Sequence, residues 1–147
     1  MVEDIERNIK HQCARYAYDC IEDMINEPAD RQREYRSEVM STGTRIHGSG
    51  LLQTLTFYCS KMGGKGDNEK PHFRKLALHM LKWILKDEKI DGGLSLSAWN
   101  EDVSGAWKLY SVLLNTDSDE KMIFYTERAR VLTDWLKRFA DARLKKD

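Results

Sequence analysis

A chain of 147 residues with 41% hydrophobic positions has enough apolar material for one buried core and too little for two. Its 24 Lys and Arg balance its 24 Asp and Glu, so no overall field draws it to nucleic acid or membrane, and any such binding must be local. The three cysteines Cys13, Cys20 and Cys59 do not make the paired framework of a small secreted domain, the N-terminus alternates acids and bases, and no run approaches the ~20 apolar residues of a membrane span; together these point to a reducing, cytoplasmic setting.

Ile5, Ile9, Cys13, Tyr16, Cys20 and Met24 recur every three or four residues and predict a first helix that ends near Pro28. Arg31 to Met40 predicts a second, capped by Asp30, before the Ser/Thr/Gly-rich stretch from Ser41 to Gly50 weakens the pattern. A third helix carries Leu51, Leu52, Leu55, Tyr58, Cys59 and Met62, and the glycines at 63, 64 and 66 stop it in a loop. Pro71 suits the first turn of a fourth, with Phe73, Leu76, Ala77, Met80, Leu81, Ile84 and Leu85 as its buried positions; Asp91-Gly92-Gly93 ends it. The fifth carries Leu96, Trp99, Val103, Ala106, Trp107, Tyr110 and Leu113, with Gly105, about 1 kcal/mol worse than alanine inside a helix, marking a close contact. Asp117 and Glu120 form a capping box for the last, whose stripe is Met122, Tyr125, Ala129, Leu132, Leu136 and Phe139. The expectation is an all-α, compact bundle of about six helices in a single domain over residues 1–147, with no repeat and no linker.

Catalytic and metal-binding patterns are weak. The Gly63-Gly64-Lys65-Gly66 run lacks the spaced glycine, the Ser or Thr after lysine and the preceding strand of a phosphate loop. His11 with Cys13, and His72 with His79, supply no set of three or four converging ligands, so no metal is expected and the cysteines read as small core residues. No Ser or Cys sits on a nucleophile elbow, adjacent acids such as Glu22-Asp23 and Glu101-Asp102 point to different sides of a helix, and the four tryptophans fall in or beside apolar stripes. No catalytic residue, no cofactor and no enzymatic activity are expected.

Charge is more informative. Residues 1–27 carry net −4, residues 28–75 net +4, residues 76–127 net −4 and residues 128–147 net +4. Such segregation gives a basic face that tracks phosphates and an acidic face for a basic neighbour. The plainer reading is solvation by i,i+4 pairs: Arg15 with Asp19, Arg130 with Asp134 and Lys137 with Asp141.

Three stretches stand in order along the chain. Arg15-Tyr16-Ala17-Tyr18 opens it; Gly50-Leu51-Leu52-Gln53-Thr54-Leu55-Thr56-Phe57 with Ser60-Lys61 occupies the centre; Tyr125-Thr126-Glu127 and Trp135-Leu136-Lys137-Arg138-Phe139-Ala140 close it. Together they resemble the small, all-helical fifth subunit of the Cmr complexes, the RNA-guided type III-B CRISPR effectors of antiviral defence. Two departures are visible: Cys13-Ala14-Arg15 lacks the lysine of the family's first motif, and Ser41 to His47 replaces a stretch in which the family often has proline.

The resemblance implies a non-catalytic part of a ribonucleoprotein. Its partners would be the other Cmr subunits, especially the backbone subunit, neighbouring copies of itself, and guide and target RNA held through phosphates; no membrane is implied. Arg15, Lys61, Lys137 and Arg138 lie in the matching stretches and, with Arg45 and Arg130, are the expected RNA-binding residues. Helical geometry sets Lys137 almost opposite the Leu132 and Leu136 stripe, free to reach a phosphate. The rival readings are a helical protein-interaction adaptor that never touches RNA and an enzyme with a scattered site.

Overall fold

The apolar periods become five helices: α1 (Val2–Ile25), α2 (Ala29–Lys61), α3 (Pro71–Ile84), α4 (Val103–Leu114) and α5 (Asp119–Arg143). The computed structural model describes residues 2–63, 70–88 and 101–146, with side chains from residue 9 onward. Among the described residues there is no strand, and no helix is long and apolar enough to cross a membrane. The expected loop at 64–66, Asp91-Gly92-Gly93, Leu96 and Trp99 lie outside the described residues.

α2 accounts for the difference between five helices and the expected six. Gly50, at φ 86 and ψ 165, is its one non-helical residue. This region of backbone space is essentially reserved for glycine. In a straight helix Thr42 and Tyr58, sixteen residues apart, would be separated by about 24 Å. Instead the Thr42 and Tyr58 hydroxyls are 2.7 Å apart, and the Arg45 guanidinium lies 4.5 Å from the centre of the Phe57 ring. The two halves of α2 therefore lie side by side as a hairpin. The helix expected to fade from Ser41 runs on to Gly50, because Thr42 is buried and also donates to the Glu38 carbonyl oxygen at 2.8 Å, while Ile46 is buried.

α3 lies at the centre. Every one of its expected core positions is buried, Leu85 included, and so are His72, Leu78, His79 and Trp83. Pro71 opens it, in the first turn where a missing N–H costs nothing. α1 and α5 run parallel, fastened by Tyr18 edge-on to Phe139 at 5.8 Å and by an Arg143–Glu22 ion pair. The half of α2 before Gly50 runs antiparallel to α5: Arg36 meets Asp141 at 2.6 Å, and Gly43 faces Thr133, where a Cβ would make ordinary van der Waals contact with Thr133 Cγ2 at 3.9 Å.

A polar knot ties α1, α2 and α3. The Tyr35 hydroxyl lies 2.8 Å from His79 Nδ1, His79 Nε2 lies 3.1 Å from Asp23 Oδ2, and Lys75 Nζ lies 3.0 Å from the same oxygen. Tyr16 donates to the His79 carbonyl oxygen at 2.6 Å. Burial pulls His79 below its ordinary pKa, so the ring is neutral, donating from Nε2 to the carboxylate and accepting at Nδ1 from Tyr35. The hydrogen bond from His79, reinforced by Lys75, holds Asp23 far below the usual carboxylate range.

Several expectations need correction. Ile9 is 52% and Trp107 42% exposed, so neither belongs to the core. Met122, Phe139 and Tyr16, expected in the core, are half-buried at its edge, and Trp135, beside that stripe, is half-buried too and stacks on Phe139 at 5.9 Å. The cap of α5 is Ser118, which accepts from the Lys121 N–H at 3.3 Å, one residue after the expected Asp117. α2 is preceded by Pro28 without a side-chain cap, and Asp30 lies in its first turn. Gly105 is buried in the first turn of α4, where its N–H donates to Asp102 Oδ1 at 2.7 Å. The cysteines are free and buried, as the sequence suggests, and burial pushes the Cys13 thiol to about 11 and the Cys59 thiol to about 12, which leaves both protonated and inert.

Candidate nucleic-acid interface

α5 buries Tyr125, Ala129, Leu132, Thr133, Leu136 and Ala140. Helical geometry then sends Arg130, Asp134, Lys137, Arg138 and Asp141 to a neighbouring, outward strip. Across from them, α2 presents Met40, Gly43, Thr44 and His47. Between the two helices lies a groove in two joined parts. One, of 540 Å³, is lined by Met40, Asp134, Lys137, Arg138 and Asp141; the other, of 380 Å³, shares Met40, Asp134 and Lys137 and extends to Arg130 and His47.

The ion pairs differ from those expected within α5. Asp141 is engaged by Arg36 across the groove at 2.6 Å and by Lys146 at 3.8 Å, and Arg36 holds its carboxyl below the usual range. Arg130 meets Glu127 at 3.2 Å, not Asp134. Among the described residues, Lys137 and Arg138 therefore form no ion pair, although both are exposed and line the groove. Two unpaired cations on one rim are what a phosphate ester would find.

The six expected residues separate into three groups. Arg130, Lys137 and Arg138 meet at the groove. Arg45 and Lys61 meet elsewhere, on the α2 hairpin, where both lie over Phe57, at 4.5 Å and 5.8 Å, and Arg45 also reaches Glu38 at 3.5 Å. Arg15 stands apart on α1, paired with Asp19 at 3.6 Å with both side chains largely exposed, the solvated i,i+4 arrangement that contributes only a few tenths of a kcal/mol, about 0.3–0.5. Sequence reasoning missed Arg36, Thr44 and His47. Met40, Gly43, Thr44 and His47 recur at helical spacing, a signal hidden by the Ser/Thr/Gly composition of that stretch.

Nothing in the groove resembles a catalytic apparatus. Among the described residues, the oriented His–Asp pair, His79 with Asp23, is packed inside the polar knot with no Ser or Cys nucleophile in its hydrogen bonds. Among the described residues, no group of three or more His, Cys, Asp and Glu side chains is placed to hold a metal ion. A family model described as CRISPR-associated protein (Cas_Cmr5) matches residues 9–143.

Proposed function

Because the chain belongs to the Cmr5 family of CRISPR-associated proteins and is a small subunit of a type III CRISPR complex, we propose that its α2/α5 groove follows the phosphate backbone of guide or target RNA within that assembly, without catalysis. The observation that carries this reading is the pair of unpaired cations, Lys137 and Arg138, on a groove that also gathers Arg130. Such contacts are blind to sequence, which suits a machine whose specificity comes from base pairing. In this reading the chain stands against the backbone subunit and neighbouring copies of itself, in the service of antiviral defence. Net charge of zero makes its grip on RNA weak when it is alone.

Changing Lys137 and Arg138 together to Glu is expected to leave the melting temperature nearly unchanged, since neither side chain is buried. Target-RNA binding by the reconstituted complex should weaken, and the slope of log affinity against log salt should fall by about 0.7 for each phosphate no longer neutralised. Unaltered affinity and slope in a normally assembled complex would reduce these residues to a solvated face. The carboxylates Asp134 and Asp141 beside them favour the rival reading, a helical adaptor that binds protein and no RNA, and that outcome is its signature. The purified chain is further expected to leave RNA intact with or without divalent metal; metal-dependent cleavage by a preparation free of contaminants would refute a non-catalytic role.

A further inference from the structure

The α2/α5 groove holds two carboxylates in different states. Asp141 is neutralised by Arg36 at 2.6 Å and by Lys146 at 3.8 Å. Asp134 lines both parts of the groove, and among the described residues it makes no ion pair and no side-chain hydrogen bond. It is exposed and stands between the cations of α5, four residues after Arg130 and three before Lys137, about one turn from each. A bare carboxylate in that place repels phosphate, so a groove that did nothing but hold phosphates would be better without it.

The opposite wall carries a second unused group. Thr42, Thr54, Thr56, Thr126 and Thr133 each donate to the carbonyl oxygen four residues back. Thr44, also helical, lines the same part of the groove as Asp134, and among the described residues its hydroxyl has no partner. The order along the groove is thus cation, hydrogen-bonding pair, cation. A ribose lies between two phosphates in the same order. Where guide and target are paired, their Watson–Crick edges are occupied, while the 2′-hydroxyls stand open on the wide, shallow minor groove. A 2′-hydroxyl both donates and accepts; a carboxylate only accepts, and a threonine hydroxyl does either. The bond from a hydroxyl to a carboxylate is charge-assisted, about twice as strong as a neutral one.

We propose that Asp134, with Thr44 opposite, is the position at which the groove recognises ribose: Asp134 accepts a hydrogen bond from a 2′-hydroxyl whose flanking phosphates are held by Arg130 and Lys137. This rests on the phosphate-groove reading above and adds to it the class of nucleic acid. RNA offsets the repulsion of the carboxylate with a donor. DNA brings the same phosphates and no donor, so the groove selects against it, and does so without regard to base sequence.

The test measures what the reconstituted complex loses when the 2′-hydroxyl is taken away. Fluorine at the 2′ position keeps the sugar in its RNA pucker but cannot donate. Binding is compared for an all-ribose strand and its 2′-fluoro form, first with the target added to the loaded complex and then with the guide added to the subunits. Each comparison is made with the wild-type chain and with Asp134→Ala, so that contacts made by other subunits cancel in the ratio. For one of the two strands, fluorination should cost the wild-type complex at least about tenfold more affinity than it costs the variant, the worth of one hydrogen bond to a charged group. Equal losses in both complexes for both strands would overturn the proposal, and a variant that then binds every strand more tightly by the same factor would show that the carboxylate only repels phosphate. Asp134→Leu repeats the comparison if the alanine variant fails to assemble. Lys137→Glu/Arg138→Glu, measured beside it, separates the two readings. Weakened RNA binding in that variant together with equal fluorine losses ends the ribose proposal alone, whereas unchanged RNA binding ends the groove reading on which it stands.

Discussion

Replacing His79 with leucine is expected to destabilise the chain by about 3–5 kcal/mol, since it strips partners from two groups at once. Tyr35 is fully buried, and without Nδ1 its hydroxyl has no acceptor among its observed contacts; Asp23 keeps only Lys75. Tyr35→Phe alone should cost about 1–3 kcal/mol, and the double variant should cost well below the sum, because removing both ends of a buried hydrogen bond leaves nothing unsatisfied between them. Chemical denaturation of the four chains forms the cycle, and strict additivity would show that the two residues are not coupled. The knot also has a pH signature. His79 has its folded pKa depressed below 6.5, so its contribution is fully present above pH 6.5 and is lost as pH falls through the folded value. Asp23 follows the same sign in a lower window, losing its contribution as pH falls below 3.8 towards its strongly depressed folded value. His72, also depressed by burial and 2.9 Å from Glu34, titrates beside His79, so His79→Leu should reduce the stability slope just below pH 6.5 without abolishing it.

Gly50→Ala is expected to cost about 1–3 kcal/mol, and Gly48→Ala, two residues earlier, to stabilise by about 0.4–1 kcal/mol. The pair isolates backbone conformation, since a Cβ at either position would meet nothing within 4 Å. Gly48 is helical, so alanine there only restricts the unfolded chain; Gly50 sits at φ 86, where an L side chain is strained whatever the space around it. Thermal melts of the two variants against the wild type should move in opposite directions. Equal shifts would mean that the hairpin turn adjusts freely and that Gly50 is not what sets it.

The sequence was most legible where burial repeats along a single helix. The α3 positions and the Tyr125, Ala129, Leu132 and Leu136 stripe follow helical spacing and are buried. The three motifs that resemble the family lie where its model matches, within residues 9–143. Legibility failed where partners are distant in the chain. Thr42 and Gly43 look like helix weakeners until Tyr58 and Thr133 are placed against them, and Asp141 looks like the partner of Lys137 until Arg36, 105 residues away, takes it. Trp107 and Ile9 keep helical spacing yet face outward, because periodicity identifies a face without saying whether another helix covers it. The groove was half legible for the same reason. One helix face supplied Arg130, Lys137 and Arg138, while the opposing wall on α2 exists only through packing.

The parallel pairing of α1 with α5 also fixes an order of events during synthesis. The contacts that fasten α1 to α5, Tyr18 on Phe139 and Glu22 with Arg143, join residues 121 apart in the chain. The α2 hairpin closes over sixteen residues, a far smaller loss of chain entropy. As the polypeptide leaves the ribosome, the hairpin and its seat against α3 come within reach first, and α1, made before α2, waits for α5 before its far side is covered. A nascent chain stalled before α5 leaves the α1 face that carries Tyr18 and Glu22 uncovered, which keeps α1 open to proteases and chaperones until α5 docks.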